Sequence, residues 1–529
     1  MTSSSGIGHP IRQAARPRAL GPARENDVSA ELRGLEPVPK AERYGRPFRI
    51  FTMWLSPQFT PSALFIGVLA ASLGLSFWQG LPAIVIGNII GALVVAALCT
   101  WGPRTGMGQM PLSRAAFGKS IVLPGVVNWA STIGWVAFNN VFGATALKLL
   151  IHAPYWLGLL LIFAGEAAIS VLGHEVIHMF EKWMSWVLGI IFVIITIRVI
   201  TSGGTTALHA RVHGADAFGL FFLMLVIAGS DGYAWAPYAA DYSRYFPAGV
   251  SRRKIFWYTF AAVAGGLTWM MLLGLSVAHR VVDAGTIGTA SAIRHLMGGG
   301  ALGVLAMLAM YLATVAADVV NDYTGSLSLQ AAGITVRRPV IALINGAAAF
   351  GFSAWFLYAP GALYNKVENL LLFFTYWISA WLGVVVVDWV RRRGRVCVAE
   401  LQNFGRLRWS APALIAFVAG FAASIPFSNT TAGYNFVASH PAFREVVGYF
   451  AFGPLHRADL GFIVAFAVAA LLYRALQRRP ATPIPELPPE NVSFGNEQAQ
   501  LAGRLPPDAG RAAATAAPAS TTDKEEQAS

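Results

Sequence analysis

The chain has 529 residues, 55% of them hydrophobic and only 12% charged, whereas a soluble globular domain carries roughly a quarter charged residues. So few charges cannot clothe a water-soluble surface of this size, and apolar runs recur from about residue 50 to residue 475, each near the roughly 20 residues a helix needs to cross hydrocarbon. The net charge of +13 sits in short loops between these runs rather than on one basic face, which argues against nucleic acid as a partner. The two cysteines, Cys99 and Cys397, match neither a metal-ligand spacing nor a disulfide framework.

Residues 1–47 are polar, contain Pro and Arg, and hold no cleavable signal peptide ahead of the first apolar run; they read as a disordered cytoplasmic tail. With Gly, Pro and charge as punctuation, helices α1 to α6 are expected near 50–76, 82–102, 122–149, 154–173, 183–202 and 217–241. The spans α7 to α12 follow near 255–279, 300–328, 338–357, 364–391, 411–428 and 458–475. From residue 478 to 529, Pro, Ala, Thr, Gln and Glu dominate and no apolar period survives, so a second disordered cytoplasmic tail is expected.

Orientation follows from the short loops, because Lys and Arg accumulate on the cytoplasmic side. With the amino terminus inside, that side receives Lys40, Arg43, Arg46 and Arg49, then Arg104, Arg114 and Lys119, then Arg244, Arg252, Arg253 and Lys254, then Arg337, Arg338 and the run Arg391–Arg395. The other side receives fewer: Lys148, Arg198, Arg211, Arg280, Arg294, Lys366, Arg444 and Arg457. An even number of helices, about twelve, with both tails in the cytoplasm is the expected topology for a multi-pass protein of the plasma membrane.

Two helices carry helix-breaking residues at corresponding places. In α1 the segment WLSPQFTPSALFIG holds Pro57 and Pro61, and in α6 the segment AGSDGYAWAPYAADYSRYFP holds Gly229, Gly232 and Pro237. Breaks in the first and sixth helices suggest two five-helix repeats of opposite orientation, 48–216 and 217–393, followed by two further helices in 394–477. Unwound backbone at mid-membrane has to line a polar cavity, a feature of transporters. A membrane enzyme would need a catalytic cluster, and no His, Cys or nucleophile motif accompanies the aspartates of α8.

Those aspartates belong to the clearest polar stripe. In YLATVAADVVNDYTGSLSLQ, residues Thr314, Asp318, Asn321, Asp322 and Gly325 recur at spacings of three and four and share one helical face. A carboxylate near the bilayer centre costs roughly 3 kcal/mol on insertion scales, so this face is expected to meet a cavity and to relay protons or hold cations. On α3, Trp135 and Asn139 stack one turn apart, an indole and a carboxamide suited to a flat heterocycle with a hydrogen-bonding edge. Trp235 in α6 offers a second stacking surface. Asp231 lies in the α6 break and can bind substrate or a proton; Asp241, beside Arg244, reads as an ion pair at the cytoplasmic end; Glu166 in α4 stays ambiguous. His152, His174, His178, His209 and His213 fall near expected helix ends and read as solvated or interfacial.

Four stretches carry a family resemblance: GLSFWQGLPAIVIGNIIGA with GPRTGMGQMPLSRAAFG, IGWVAFNNVFGA, YAADYSRYFP, and the NDY of α8. They resemble the nucleobase:cation symporter-1 family in its purine/cytosine permease branch, over about Arg46 to Arg479. The resemblance implies an all-α polytopic fold of the LeuT type, ten helices in two inverted repeats plus two carboxy-terminal helices. It also implies import of a nucleobase or related heterocycle by cation symport and alternating access, with thiamine, allantoin, hydantoins or amino acids as alternative cargoes. By position it implies a substrate site of Trp135, Asn139, Trp235 and Asn321, with Gln58 or Thr60 near the α1 break. Sodium-coupled members carry neighbouring hydroxyls on α8, where this chain reads ATVAAD with Thr314 alone. A proton is then the expected coupling ion, with Asp318 and Asp231 as its carriers. No other cofactor, no metal and no particular oligomeric state is implied.

Overall fold

The computed structural model describes residues 35–170, 174–202, 211–279, 288–334, 336 and 338–477. The outer parts of both expected tails, 1–34 and 478–529, lie outside the described residues, as do His209, Arg280, Arg337 and the side chain of His174. Among the described residues the chain is helical, with a single isolated β-bridge between Gly118 and Trp409. In chain order the helices are α1a (Phe48–Leu55) and α1b (Pro61–Ser72), α2 (Phe77–Cys99), α3 (Val122–Ile151), α4 (Tyr155–Ser170), α5 (His174–Thr201) and α6 (Gly214–Ala234). Then come α7 (Arg252–Ala278), α8 (Ala301–Ala331), α9 (Arg338–Tyr358), α10 (Leu363–Arg391), α11 (Ala411–Ser424) and α12 (Gly461–Leu476).

Seven of these, α2, α3, α5, α6, α7, α8 and α10, are long and apolar enough to cross a membrane, and α11 joins Thr431–Ser439 through a 74° bend as a further candidate. The helices α1b, α4 and α12 and the end of α9 are shorter and apolar. Ile190, Ile197, Ile200, Leu343 and Leu471 stand exposed on the outside of the bundle, as helices that face lipid require.

Helix α1 breaks where proline chemistry demands it. The residue before a proline is pushed out of the helical region, and Thr60, before Pro61, is extended at φ −103°, ψ 147°. Its hydroxyl then caps α1b by accepting from the Ala63 amide at 3.1 Å. A 3-10 turn, Ser56–Gln58, with Pro57 at its start, fills the gap.

Helix α6 departs from expectation. It does not unwind; Trp235 keeps helical angles, φ −75°, ψ −6°, and the chain tightens into a 3-10 turn at Ala236–Tyr238 before a last turn at Ala239–Ser243. Three-residue hydrogen bonds, Trp235 N to Gly232 O at 3.3 Å and Tyr238 N to Trp235 O at 3.1 Å, absorb the amide that Pro237 lacks. Gly229 and Gly232 serve packing instead of breakage. A Cβ on Gly87 of α2 would fall on the carbonyl oxygen of Leu225, and one on Gly91 would come within 2.7 Å of the carbonyl oxygen of Gly229. Small residues bring the two backbones together, as membrane helices do when lipid supplies no hydrophobic drive.

Three other boundaries differ. Helix α2 begins at Phe77, ahead of Pro82, because Ser76 and Gln79 form a capping box. Helix α5 begins nine residues earlier than expected and draws His178 and Glu181 into the bundle, both buried. Part of the segment read as a disordered tail is packed: the Val38 amide donates to Gly106 O at 2.9 Å, and Arg43 donates to Val38 O and to Pro103 O at 2.8 and 2.7 Å. Pairing of these donors with a loop offsets the entropy of ordering a short polar stretch.

The loop between α2 and α3 contains a short helix, Gln109–Phe117. Its Arg114 is buried and donates to Gln330 O, Ala331 O and Leu401 O at 2.8, 2.9 and 2.7 Å. The guanidinium thereby satisfies carbonyls at the end of α8 that have no partner within the helix.

Candidate functional site

Four helices converge around the α1 break, and a chain of contacts connects them. Asn139 of α3 donates through Nδ2 to Asp318 Oδ1 of α8 at 2.9 Å. One turn along α8, Asn321 Oδ1 accepts from the Tyr238 hydroxyl of the α6 turn at 2.7 Å, while its Nδ2 donates to Ala317 O at 3.0 Å. Tyr238 packs edge-on to Trp235, with ring centroids 5.2 Å apart, and Trp235 packs edge-on to Trp54 of α1a at 5.7 Å. Gln58 in the α1 turn extends the run by donating to Trp54 O at 2.9 Å. Of the residues that the sequence placed on α1, α3, α6 and α8, Gln58, Asn139, Trp235, Asp318 and Asn321 are thus brought into one run of contacts, all of them buried.

Several hydrogen-bonding atoms in this neighbourhood have no partner among the described residues: Asn139 Oδ1, Trp235 Nε1, Asp318 Oδ2, Gln58 Oε1 and Asp231 Oδ2. Buried polar groups are ordinarily paired, because an unmet donor or acceptor costs about 1–3 kcal/mol. Four of these atoms, two amide oxygens, an indole N–H and a carboxyl oxygen, belong to residues in the contact chain just described. Asp231 lies one turn before Trp235 on α6 and shares its face. A small solute with both donors and acceptors on its edge is the kind of guest that would satisfy such a set.

The other expected residues take different places. Trp135 packs against Phe138 and against Phe374 of α10, with centroids 6.0 and 5.6 Å apart, so its ring forms an aromatic wall one turn from Asn139. The Thr60 hydroxyl is engaged by the Ala63 amide and by the Ser62 hydroxyl at 2.9 Å. Thr314 turns toward α3, with its hydroxyl donating to Met310 O at 3.0 Å and to Asn139 O at 3.5 Å. The polar stripe of α8 fans out over its neighbours. Asp318 faces α3; Asp322 Oδ1 accepts from Asn345 of α9 at 2.7 Å, and Asn345 accepts from Trp129 at 2.6 Å.

Asp241 is buried and does more than mark a helix end. It accepts from the Gln109 amide and from the Thr324 hydroxyl, both at 2.7 Å, and so joins α6, α8 and the Gln109–Phe117 helix. Its neighbour Arg244 donates to the hydroxyls of Tyr245 and Tyr323 at 3.0 and 2.9 Å. His178, expected at an interface, is buried 6.3 Å from the Tyr242 ring, whereas His152 and His213 are exposed. Sequence reasoning missed Trp54 and Tyr238, although Trp54 lies four residues before Gln58 and Tyr238 three residues after Trp235, spacings that helical geometry makes adjacent.

Helical throughout its described residues, with several helices able to cross a membrane and unpaired hydrogen-bonding atoms buried among them, the chain is a multi-pass membrane protein with a polar interior. It belongs to the nucleobase:cation symporter-1 family: the family model described as permease for cytosine/purines, uracil, thiamine, allantoin matches residues 37–450. Among curated relatives, the purine-cytosine permease fcyB of Emericella nidulans is 29% identical over 473 residues, covering 85% of this chain and 89% of the relative. The purine-cytosine permease FCY2 of Saccharomyces cerevisiae is 28% identical over 383 residues, covering 68% and 70%. The fold matches that of Mhp1, a nucleobase-cation-symport-1 family transporter solved in a closed conformation with bromovinylhydantoin bound, at a TM-score of 0.67 and 17% identity over 89% of this chain and 99% of the other.

Proposed function

We propose that the protein imports a nucleobase, cytosine or a purine, or a closely related heterocycle, by symport with a cation, and that the cation is a proton. The chain makes twelve crossings in this reading, ten of them in two inverted repeats, with both tails in the cytoplasm. The observation that carries it is the set of buried atoms without partners at the α1–α3–α6–α8 junction, Asn139 Oδ1, Trp235 Nε1 and Asp318 Oδ2. A planar base would stack on the indoles of Trp135 and Trp235 and present its amide-like edge to Asn139. Asn321 would hold Tyr238 and through it the Trp235 ring in place. Gln58 borders the site from the α1 turn, and Thr60 fixes the geometry of that turn through its cap.

The coupling ion follows from the same geometry. A sodium ion needs several oxygen ligands, and the one hydroxyl expected for it, Thr314, is directed at α3 carbonyl and backbone groups. Asp318 and Asp231 each keep a buried carboxyl oxygen without a partner, which favours a proton that arrives with the substrate. Purine-cytosine permeases at 28 and 29% identity favour a nucleobase over a hydantoin. The test is uptake of labelled cytosine, hypoxanthine, uracil and allantoin into proteoliposomes, with proton and sodium gradients imposed separately. Saturable cytosine or hypoxanthine uptake driven by an inward proton gradient is the expected result, and uptake that follows only the sodium gradient, or that shows no saturation, refutes it.

A further inference from the structure

Glu181 takes no part in the site described above, yet it is a buried acid at the α1 break. It lies near the start of α5, 0% exposed, and neither carboxyl oxygen has a hydrogen-bond partner in good geometry among the described residues. Ser56, which opens the 3-10 turn of α1, is also 0% exposed, and its hydroxyl lies beside the carboxyl group. Four residues further along α5, the Ser185 hydroxyl donates to both Glu181 O and Thr52 O, at 2.7 and 2.8 Å, and so joins α5 to α1a. The acid therefore sits inside the contact between α5 and the broken helix.

The other titratable and charged groups around it can be assigned element by element. On α5 itself His178 lies one turn earlier, and Arg49 of α1a acts on His178. From the end of α6 comes Tyr242, whose hydroxyl donates to Val320 O at 3.1 Å. Helix α8 brings Tyr323, 5.4 Å from the Tyr242 ring and bound by Arg244. The α8 carboxylates Asp318 and Asp322 face α3 and α9, and Glu166 of α4 neighbours those two. Helix α7 meets α5 through Trp269, which donates to Thr196 at 2.9 Å, and Arg294 and His295 lie by Leu149 at the far end of α3.

We infer that Glu181 is a second proton-binding site, at the contact between α1a and α5, and that loss of its proton on the cytoplasmic side frees α1a to move. The inference rests on the importer reading above. An ionised carboxylate without donors is far costlier to bury than a neutral carboxyl group. With its proton, the group can remain where it is and offer a donor to Ser56. Without it, the ion requires water, which only separation of α1a from α5 admits. Proton release to the cytoplasm and opening of the inner side are then linked, each promoting the other. The step makes and breaks one O–H bond, and the proton goes to bulk water.

The test uses the full chain in proteoliposomes and two independent readouts. First, spin labels at Phe48→Cys and Lys182→Cys, in a Cys397→Ser background, report the distance from α1a to α5 without any substrate. In the wild-type background that distance should lengthen as pH rises, and in Glu181→Gln it should be constant and short. Second, cytosine uptake driven by an inward gradient of one pH unit can sustain about tenfold accumulation for each proton carried with the substrate. Glu181→Gln should bind cytosine as the wild type does but lose this accumulation at every internal pH, and Glu181→Asp should restore a pH-dependent rate. Should Glu181→Gln fail to fold, Ser56→Ala should move the pH midpoint of both readouts. A pH-dependent distance that persists in Glu181→Gln, or an unmoved midpoint in Ser56→Ala, overturns the assignment of Glu181. Absence of cytosine and purine uptake by the wild type, with the distance change intact, overturns the substrate reading alone.

Discussion

Asn139 links the α3 and α8 halves of the site, and its replacement by Ala removes two things at once. The 2.9 Å hydrogen bond to Asp318 disappears, leaving a buried carboxyl group without its donor. A buried polar group left unsatisfied costs about 1–3 kcal/mol, toward the upper end when the group is an acid. The second loss is Oδ1, which has no partner within the protein and which the proposed function gives to the substrate, again about 1–3 kcal/mol. The first loss falls on the free and the bound protein alike and lowers stability, whereas the second should weaken substrate binding by about 1–3 kcal/mol, or roughly 5- to 150-fold. Scintillation-proximity binding of labelled cytosine to the purified protein measures this, and thermal unfolding of the same sample separates loss of the site from loss of the fold. A folded Asn139→Ala protein that binds within about threefold of the wild type would refute the reasoning.

Other outcomes follow from the same contacts. Trp235→Phe keeps an aromatic edge against Trp54 and Tyr238 but removes the Nε1 donor, so it should weaken binding by about 1–3 kcal/mol, whereas Trp235→Leu also loses the stacking surface and should weaken binding further by at least about fivefold; equilibrium binding distinguishes them. Gly87→Leu would drive a side chain into the Leu225 carbonyl of α6 and should cost about 1–3 kcal/mol or more, visible as a lower melting temperature and poor yield in detergent. Thr60→Ala deletes the cap on α1b at about 1 kcal/mol and should reduce stability modestly. Arg114→Lys cannot reproduce the fork that reaches Gln330, Ala331 and Leu401 together, and a clear drop in melting temperature with little change in substrate affinity is expected.

Much of the site was legible because helices turn spacing into direction. Thr314, Asp318, Asn321 and Asp322 had to share a face of α8, and two acids on one face had to turn inward, so their burial follows from periodicity and the energetics of charge in lipid. The pairing of Trp135 with Asn139 and the extended backbone before Pro61 follow from equally local rules. Less local matters were hidden. Gly229 and Gly232 carry the composition of a break but act as a packing surface, because the decisive partner, Gly87, lies far away in the chain. His178 reads as solvated or interfacial from its place in the sequence, yet the earlier start of α5 buries it, together with Glu181 one turn on.

The sequence by itself determined the solvent of this protein, the approximate places of its helices, the break in α1, and which residues on α3, α6 and α8 point toward a common interior. Each of these depends on composition or on neighbours within a turn or two of the same helix. Only the tertiary structure decided that Tyr238 holds Asn321, that Thr60 spends its hydroxyl on a cap, and that α6 tightens where it was expected to unwind. Those outcomes depend on which helices lie side by side, and a hydrogen bond or a close backbone approach between distant segments is a property of the pair that neither segment carries alone.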